Sequence, residues 1–362
     1  MNLKIKIILL FFLLIFQMRV NGQNDTVLAN SQTYANPLFS KCGPDPWAIF
    51  HKGYYYYMHT MQDSLVLWAT KDITNVRNGE KKTIWIPRDS TNYKNLWAPE
   101  IHYINEKWYV YYAADDGNTD NHQLYVLENS NKNPFEGNFV MKGKISTDKD
   151  NNWAIDASVF ENKGELYLVW SGWEKRRVKN ETQCIYIASM QNPWTLKSER
   201  VLISKPELKW ERKYINRNGW NPTHKIFVNE GPQPLKSPGG KYIYIIYSAS
   251  GCWTPFYSLG MLYAKTSDDL LNPKSWKKNQ QPIFSQSPQN KVYGPGHCSF
   301  FQSPDKKEYY ILYHARNIEA DLPGKDSRTP RMQKFIWDEN DYPIFGVPLP
   351  LWLDFKKPSG IK

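Results

Sequence analysis

The chain has little that would place it in a membrane, in a metal cluster or on nucleic acid. After its first 22 residues no stretch is apolar for long enough to cross a bilayer. The four cysteines, Cys42, Cys184, Cys252 and Cys298, form no C-x-x-C pair, so no zinc spacing is present. Their pairing is not readable from sequence, and buried free thiols are the default expectation. Helical periodicity is nearly absent. No helix-turn-helix, zinc-finger or RNA-binding signature occurs. The excess positive charge is scattered through loops such as "NGEKKT" and "NPKSWKKNQ". Such scatter favours solubility or loose attraction to acidic polymers over a nucleic-acid site.

The start of the chain is read as a targeting segment. "MNLKIKIILLFFLLIFQMRVNG" carries two lysines, an apolar run from Ile7 to Phe16 and a small residue at Gly22. This predicts a secretory signal peptide over 1–22, leaving 23–362 as one domain that is secreted or periplasmic and not membrane-bound. No cysteine follows the apolar run closely, which argues against a lipid anchor. Removing Lys4, Lys6 and Arg19 with the leader takes the formal net charge from +11 to +8.

Aromatic residues, by contrast, are abundant at 15% of the chain. They suit β-strands, and exported β proteins also stack them on sugar rings. Along the chain one grammar recurs: a polar or turn-forming cluster around an acid or histidine, a short strand, a turn, and further aromatic-rich strands. The units open at "GPDPWAIF", "WAPEIHYI", "AIDASVFE", "NEGPQPLK" and "YGPGHCSFF". Their leading residues, Asp45, Glu100, Asp156, Glu230 and His297, are 55, 56, 74 and 67 residues apart. A period of this length with about four strands per unit predicts an all-β chain folded as a five-bladed β-propeller. Strand alternation as in "YIYIIYS" and turns at "HKG", "INEK", "NKGE" and "SPGGK" agree with it. The first strand of each blade would line a central channel and bring the five leading residues to one end.

Converging carboxylates suit one chemistry in particular. One acid kept protonated can donate to a glycosidic oxygen while another, ionised, activates water; a gap of roughly 6.5–9.5 Å leads to inversion. A third acid nearby raises the donor's pKa. At this point the ordered set "GPDPWAIF", "NLWAPEIHY", "WAIDASVF", "VNEGPQPL" and "YGPGHCSFF" resembles glycoside hydrolase family 43, over roughly Asn36 to Gly346. No single motif is specific; the ordered set at this spacing is. The resemblance implies a five-bladed propeller and inverting hydrolysis. It implies Asp45 as general base, Glu230 as general acid and Asp156 as the residue tuning the acid. It places His297 beside a metal ion, usually calcium, or ordered waters in the channel; no cofactor is needed for the chemistry. Arg331 of "PRMQKFIWD" matches an arginine that approaches the active site.

"LWAPEIHYINEKWYVYYAAD", "YSASGCWT" and "VYGPGHCSFF" look most like the exo-acting α-L-arabinofuranosidases of that family. The expected substrate is therefore a plant-type polysaccharide or oligosaccharide, arabinan or arabinoxylan side chains. β-Xylosidase and β-galactosidase remain open as alternatives, as does a non-catalytic sugar-binding propeller. Trp97 and Trp47 are candidates for the pocket floor, against a blander role in sheet packing. Trp173 and Trp253 are candidates for its rim. Glu100 is expected to bond backbone or sugar hydroxyls. Asp115, Asp116 and Asp120 in "DDGNTDNH" lack EF-hand spacing and are expected to be solvated. The stretch Trp210 to Thr223 is expected to shape the pocket's rim.

Overall fold

The computed structural model describes residues 32–175, 181–215, 225–321 and 324–361. The expected signal peptide, and residues 216–223 of the stretch expected at the rim, lie outside the described residues. No helix among the described residues is long and apolar enough to cross a membrane. Among the described residues all regular structure beyond short 3-10 turns is strand.

Antiparallel pairing gives three separate four-stranded sheets. The first is Trp47–His51, Tyr54–Met58, Leu65–Thr70 and Glu80–Trp85; the second Lys94–Ile104, Lys107–Asp115, Gln123–Asn129 and Val140–Lys144. The last is Tyr293–Gln302, Tyr309–Arg316, Thr329–Trp337 and Pro343–Ile344. The two units between them are not separate. The long strand Glu181–Asn192 pairs in parallel with the start of Ile226–Lys236, through Glu181 to Gln183 against Ile226 to Val228. This joins both units into one nine-stranded sheet. Sequence spacing does not reveal this contact, because it depends on one strand overrunning its own hairpin.

Side-chain alternation here does not separate core from solvent. It divides the central strands between two cores. In Tyr242–Ala249, Tyr244 and Ile246 pack in one cluster, while Ile243, Ile245 and Tyr247 pack in another. Tyr111 and Ala113 similarly face one cluster, and Val110 and Tyr112 the other. Strands covered on both faces read as near-continuous apolar runs. The five clusters link the units in cyclic order. The cluster holding Leu312 and Tyr310 of the last unit also holds Tyr55 and Tyr57 of the first.

The two ends of the described chain meet at that seam. Thr33–Ala35 pairs antiparallel with Asp354–Lys356. The Asn36 amide brackets Met332, donating to its carbonyl at 2.9 Å and accepting its N–H at 2.9 Å. Tyr34 donates its hydroxyl to the same carbonyl at 3.2 Å.

Candidate active site

Four inner strands share one backbone device. Pairing breaks between Trp97 and Glu100, Ile155 and Ser158, Glu230 and Gln233, and Gly296 and Ser299. At each break the second residue is left-handed: Ala98 (φ 45°), Asp156 (φ 59°), Gly231 (φ 55°) and His297 (φ 43°). Asp45, at φ 59°, precedes the inner strand of the first unit in the same conformation. A non-glycine residue held there costs about 1–3 kcal/mol, and bulges of this kind re-aim side chains beside sites. The tetrapeptides "PDPW", "WAPE", "IDAS", "EGPQ" and "GHCS" therefore superpose by backbone role.

This alignment corrects the expected equivalence of the five leading residues. Asp45, Asp156 and His297 occupy the left-handed position itself. Glu230 stands one residue before it, alongside Trp97 and Ile155. Glu100 stands two residues after Ala98, deeper along the strand, where Ser158, Gln233 and Ser299 are its counterparts.

A cavity of about 320 Å³ collects Asp45, Asp156, Glu230 and His297 with Trp97, Trp153, Trp253, Gln183, Cys252 and Arg328. Asp45 is the most heavily supported acid. Thr60 donates to its Oδ2 at 2.6 Å, and the same threonine oxygen accepts the Ala98 N–H at 2.8 Å. His297 Nδ1 lies 3.2 Å from Asp45 Oδ1, and Arg328 NH1 lies 3.6 Å from the same oxygen. Burial alone would raise the Asp45 pKa, but His297, His314 and Arg328 outweigh it and hold the carboxyl well below the usual range. His314 is itself neutral, pushed down to about 3 by burial. Its Nδ1 accepts the Asp45 N–H at 3.1 Å, which fixes the backbone of the acid.

Glu230 is the opposite case. Burial, with the charge of Asp45, pushes its pKa up to about 7, although a hydrogen bond from Tyr257 and the charge of Arg328 work the other way. Tyr257 donates to Oε1 at 2.8 Å. Asp156 is also raised, by burial and then by the charges of Glu230 and Asp45. The Gly231 N–H donates to its Oδ2 at 2.9 Å. One acid held ionised and another held protonated, in one cavity, is the arrangement that general acid-base chemistry needs.

Several expected site residues lie elsewhere. Arg331 is fully buried, and its NH2 group is spent on Asn317 Oδ1 at 2.6 Å and on the Ala315 carbonyl at 3.2 Å. The arginine at the cavity is Arg328, three residues earlier, at the mouth of the strand rather than inside it. Asp326 grips it at two points, 3.0 Å to Nε and 2.6 Å to NH2. Its position at a strand mouth, like that of Asp45, was the available signal.

Glu100 does not reach the cavity. His102 Nε2 lies 2.9 Å from Oε2, and the Gln233 amide donates to Oε1. Trp47 is also outside; its indole donates to the Ile101 carbonyl at 2.9 Å and packs on His102. Trp173 stacks behind Trp153, with ring centroids 4.9 Å apart, so Trp153 and not Trp173 faces the cavity. Trp97 and Trp253 do line it.

The "DDGNTDNH" acids are not solvated as a group. Asp115 is fully buried, accepting from the Asn95 amide and the Gly117 N–H, with His122 Nδ1 at 3.1 Å. His122 lies under Trp97 with ring centroids 4.0 Å apart, so this loop is the floor's foundation.

A calcium ion wants six to eight oxygen ligands. Glu100 has both oxygens engaged, His297 directs Nδ1 at Asp45, and no group of three or more His, Cys, Asp or Glu among the described residues could hold a metal. No chemistry is routed through a metal ion. All four cysteines are free thiols.

Comparison with known proteins agrees with this geometry. The model of glycosyl hydrolases family 43 matches residues 34–343. The chain is 37% identical to an extracellular exo-alpha-(1->5)-L-arabinofuranosidase of Streptomyces avermitilis, over 88% of this chain and 64% of that protein. It thus spans 64% of the length of that relative. It is 33% identical to a Streptomyces chartreusis protein of the same name, over 79% of this chain and 83% of the other. The crystal structure of alpha-L-arabinofuranosidase from Lactobacillus brevis superposes with a TM-score of 0.79 at 33% identity, covering 88% of this chain and 98% of that one. The chain belongs to glycosyl hydrolases family 43.

Proposed function

We propose that the protein is an inverting exo-α-L-arabinofuranosidase that releases L-arabinose from arabinan or arabinoxylan side chains outside the cytoplasm. The observation that carries this reading is the contrast between Asp45 and Glu230 in one small cavity: the first held ionised, the second holding a proton near neutral pH. The names of the relatives supply the sugar. The fold that goes with the reading is a five-bladed propeller. Its support is the cyclic chain of five cores and the left-handed residue repeated once per inner strand. On this view the nine-stranded sheet is two blades joined by the overrun at Gln183.

In the reaction, Glu230 gives its proton to the glycosidic oxygen as the bond to the anomeric carbon breaks. Water attacks the opposite face and yields its proton to Asp45. Asp156 accepts the N–H of Gly231, the residue next to the acid, and so orients it; its own raised pKa keeps it from supplying a full negative charge there. His297, Thr60 and Arg328 hold Asp45 ionised and in place. Trp97 serves as the apolar floor for the furanose ring.

The test is proton NMR of the protein with linear α-1,5-arabino-oligosaccharide. The expected first product is free β-L-arabinose, which later mutarotates. Initial α-L-arabinose would reject inversion, and no arabinose at all would reject the substrate.

A further inference from the structure

Glu230 has two oxygens, and among the described residues only one of them is hydrogen-bonded. Oε1 accepts from the Tyr257 hydroxyl, whereas Oε2 has no hydrogen bond among the described residues. Tyr257 is fully buried and its ring lies parallel to that of His314, 5.6 Å between centroids, so it is fixed in orientation. Ser248 is fully buried, and its Oγ accepts the backbone N–H of His297 at 2.7 Å. His297 is the left-handed residue that also faces Asp45.

The tyrosine proton points at Glu230 Oε1. We propose that Tyr257 is the positioning device of the acid: it occupies Oε1 and leaves Oε2 as the oxygen that carries the proton to the leaving group. The proposal rests on Glu230 being the general acid. Tyr257 touches neither sugar nor water in it; it acts through Glu230.

The chemistry balances without another reactant. The Oε2–H bond breaks as the proton moves to the glycosidic oxygen, and its electron pair stays on the carboxylate. That carboxylate then has one oxygen already solvated by Tyr257, which stabilises the charge it gains. Asp45 takes up a proton from the attacking water in the same turnover. The charged and titratable groups facing Glu230 are Asp45, Arg328, Asp156 and Cys252. None of them donates to Oε1 in place of the phenol.

The experiment compares wild type, Tyr257→Phe and Ser248→Ala by pH profiles of kcat/KM on α-1,5-arabinobiose and on 2,4-dinitrophenyl α-L-arabinofuranoside. The second substrate has a leaving group that needs little protonation. Removing a donor to the carboxylate raises the acid's pKa. The Tyr257→Phe basic limb is therefore expected about one pH unit higher on arabinobiose. Its kcat is expected about 10-fold lower at pH 6, with KM within 2-fold and little loss on the dinitrophenyl substrate. Ser248→Ala removes the acceptor of the His297 N–H but no donor to Glu230, and is expected to leave the basic limb in place. An unmoved basic limb, a downward shift, or equal loss on both substrates in folded Tyr257→Phe would overturn the device. Glu230→Gln separates this from the underlying reading: it should lose arabinobiose turnover and keep dinitrophenyl turnover. If it hydrolyses arabinobiose normally, the acid assignment fails, and the device with it.

Discussion

Two glutamates in this molecule, Glu100 buried and Glu230 half-buried, sit on equivalent inner strands and do different things. Glu100 has both oxygens engaged, one with His102 and one with Gln233. Glu230 has one oxygen engaged and faces a cavity. Three residues of register separate the two positions, counted from the left-handed residue of each bulge. The first is a finished hydrogen-bond network, which rigidifies the centre. The second is a network left open by one oxygen. A buried acid is reactive in proportion to what its neighbours leave unsatisfied.

Removing the carboxyl at Glu230 is the strongest way to sharpen this contrast. Glu230→Gln and Asp45→Asn are each expected to lower kcat on arabino-oligosaccharide by about 10²–10⁴-fold, while calorimetry still detects sugar binding. The Asp45 cluster gives the next effect. Arg328→Met removes a cation beside the base, so the Asp45 pKa rises toward its ordinary value. The acid limb of the pH profile then moves to higher pH, with kcat/KM down about 10-fold; an unmoved acid limb would remove Arg328 from the site.

Glu100→Gln tests the finished network directly. It is expected to cost about 1–3 kcal/mol in urea unfolding, as a buried network loses a charged acceptor, yet to leave kcat/KM within about 3-fold. Activity falling as far as in Glu230→Gln would erase the distinction between the two acids. The smallest effect is a pH dependence of stability. Glu230 has a folded pKa near 7, above its unfolded value, so the native state loses stability as pH rises from about 4.5 through 7. Glu230→Gln removes that loss, and its melting temperature relative to wild type is expected to be higher at pH 8 than at pH 5.

The repeat and the acids were legible in the sequence because both are local. An acid or histidine beside a turn-former at the head of an aromatic strand survives as a pattern in Asp45, Asp156, Glu230 and His297. What was not legible was register within that pattern. "WAPE" and "IDAS" look as though Glu100 and Asp156 correspond, and only the backbone conformation shows that Ala98 is the partner of Asp156. Arg328 went unnoticed beside Arg331 for a similar reason: sequence does not say which of two nearby arginines stops at the strand mouth. Tyr257, Ser248 and Trp153 were missed because their roles depend on contacts with strands far away in sequence. Tyr257 lies 27 residues beyond the acid it supports. Asp115 was read as solvated because its partners, Asn95 and His122, are brought beneath Trp97 only by folding.

The seam between Tyr34, Asn36 and Met332 has a consequence in time rather than in space. Its contacts span 298 and 296 residues, whereas each other core can form between units that are neighbours in the chain. Loop closure over such a separation comes late, and contacts of this kind slow folding more than they alter stability. As the chain emerges during synthesis, the Tyr55 and Tyr57 face of the first unit lacks its Leu312 and Met332 neighbours until the last unit has followed. For most of its assembly the protein therefore carries an uncovered aromatic surface, and the interval before the last unit docks is when it is most exposed to misassociation with other chains.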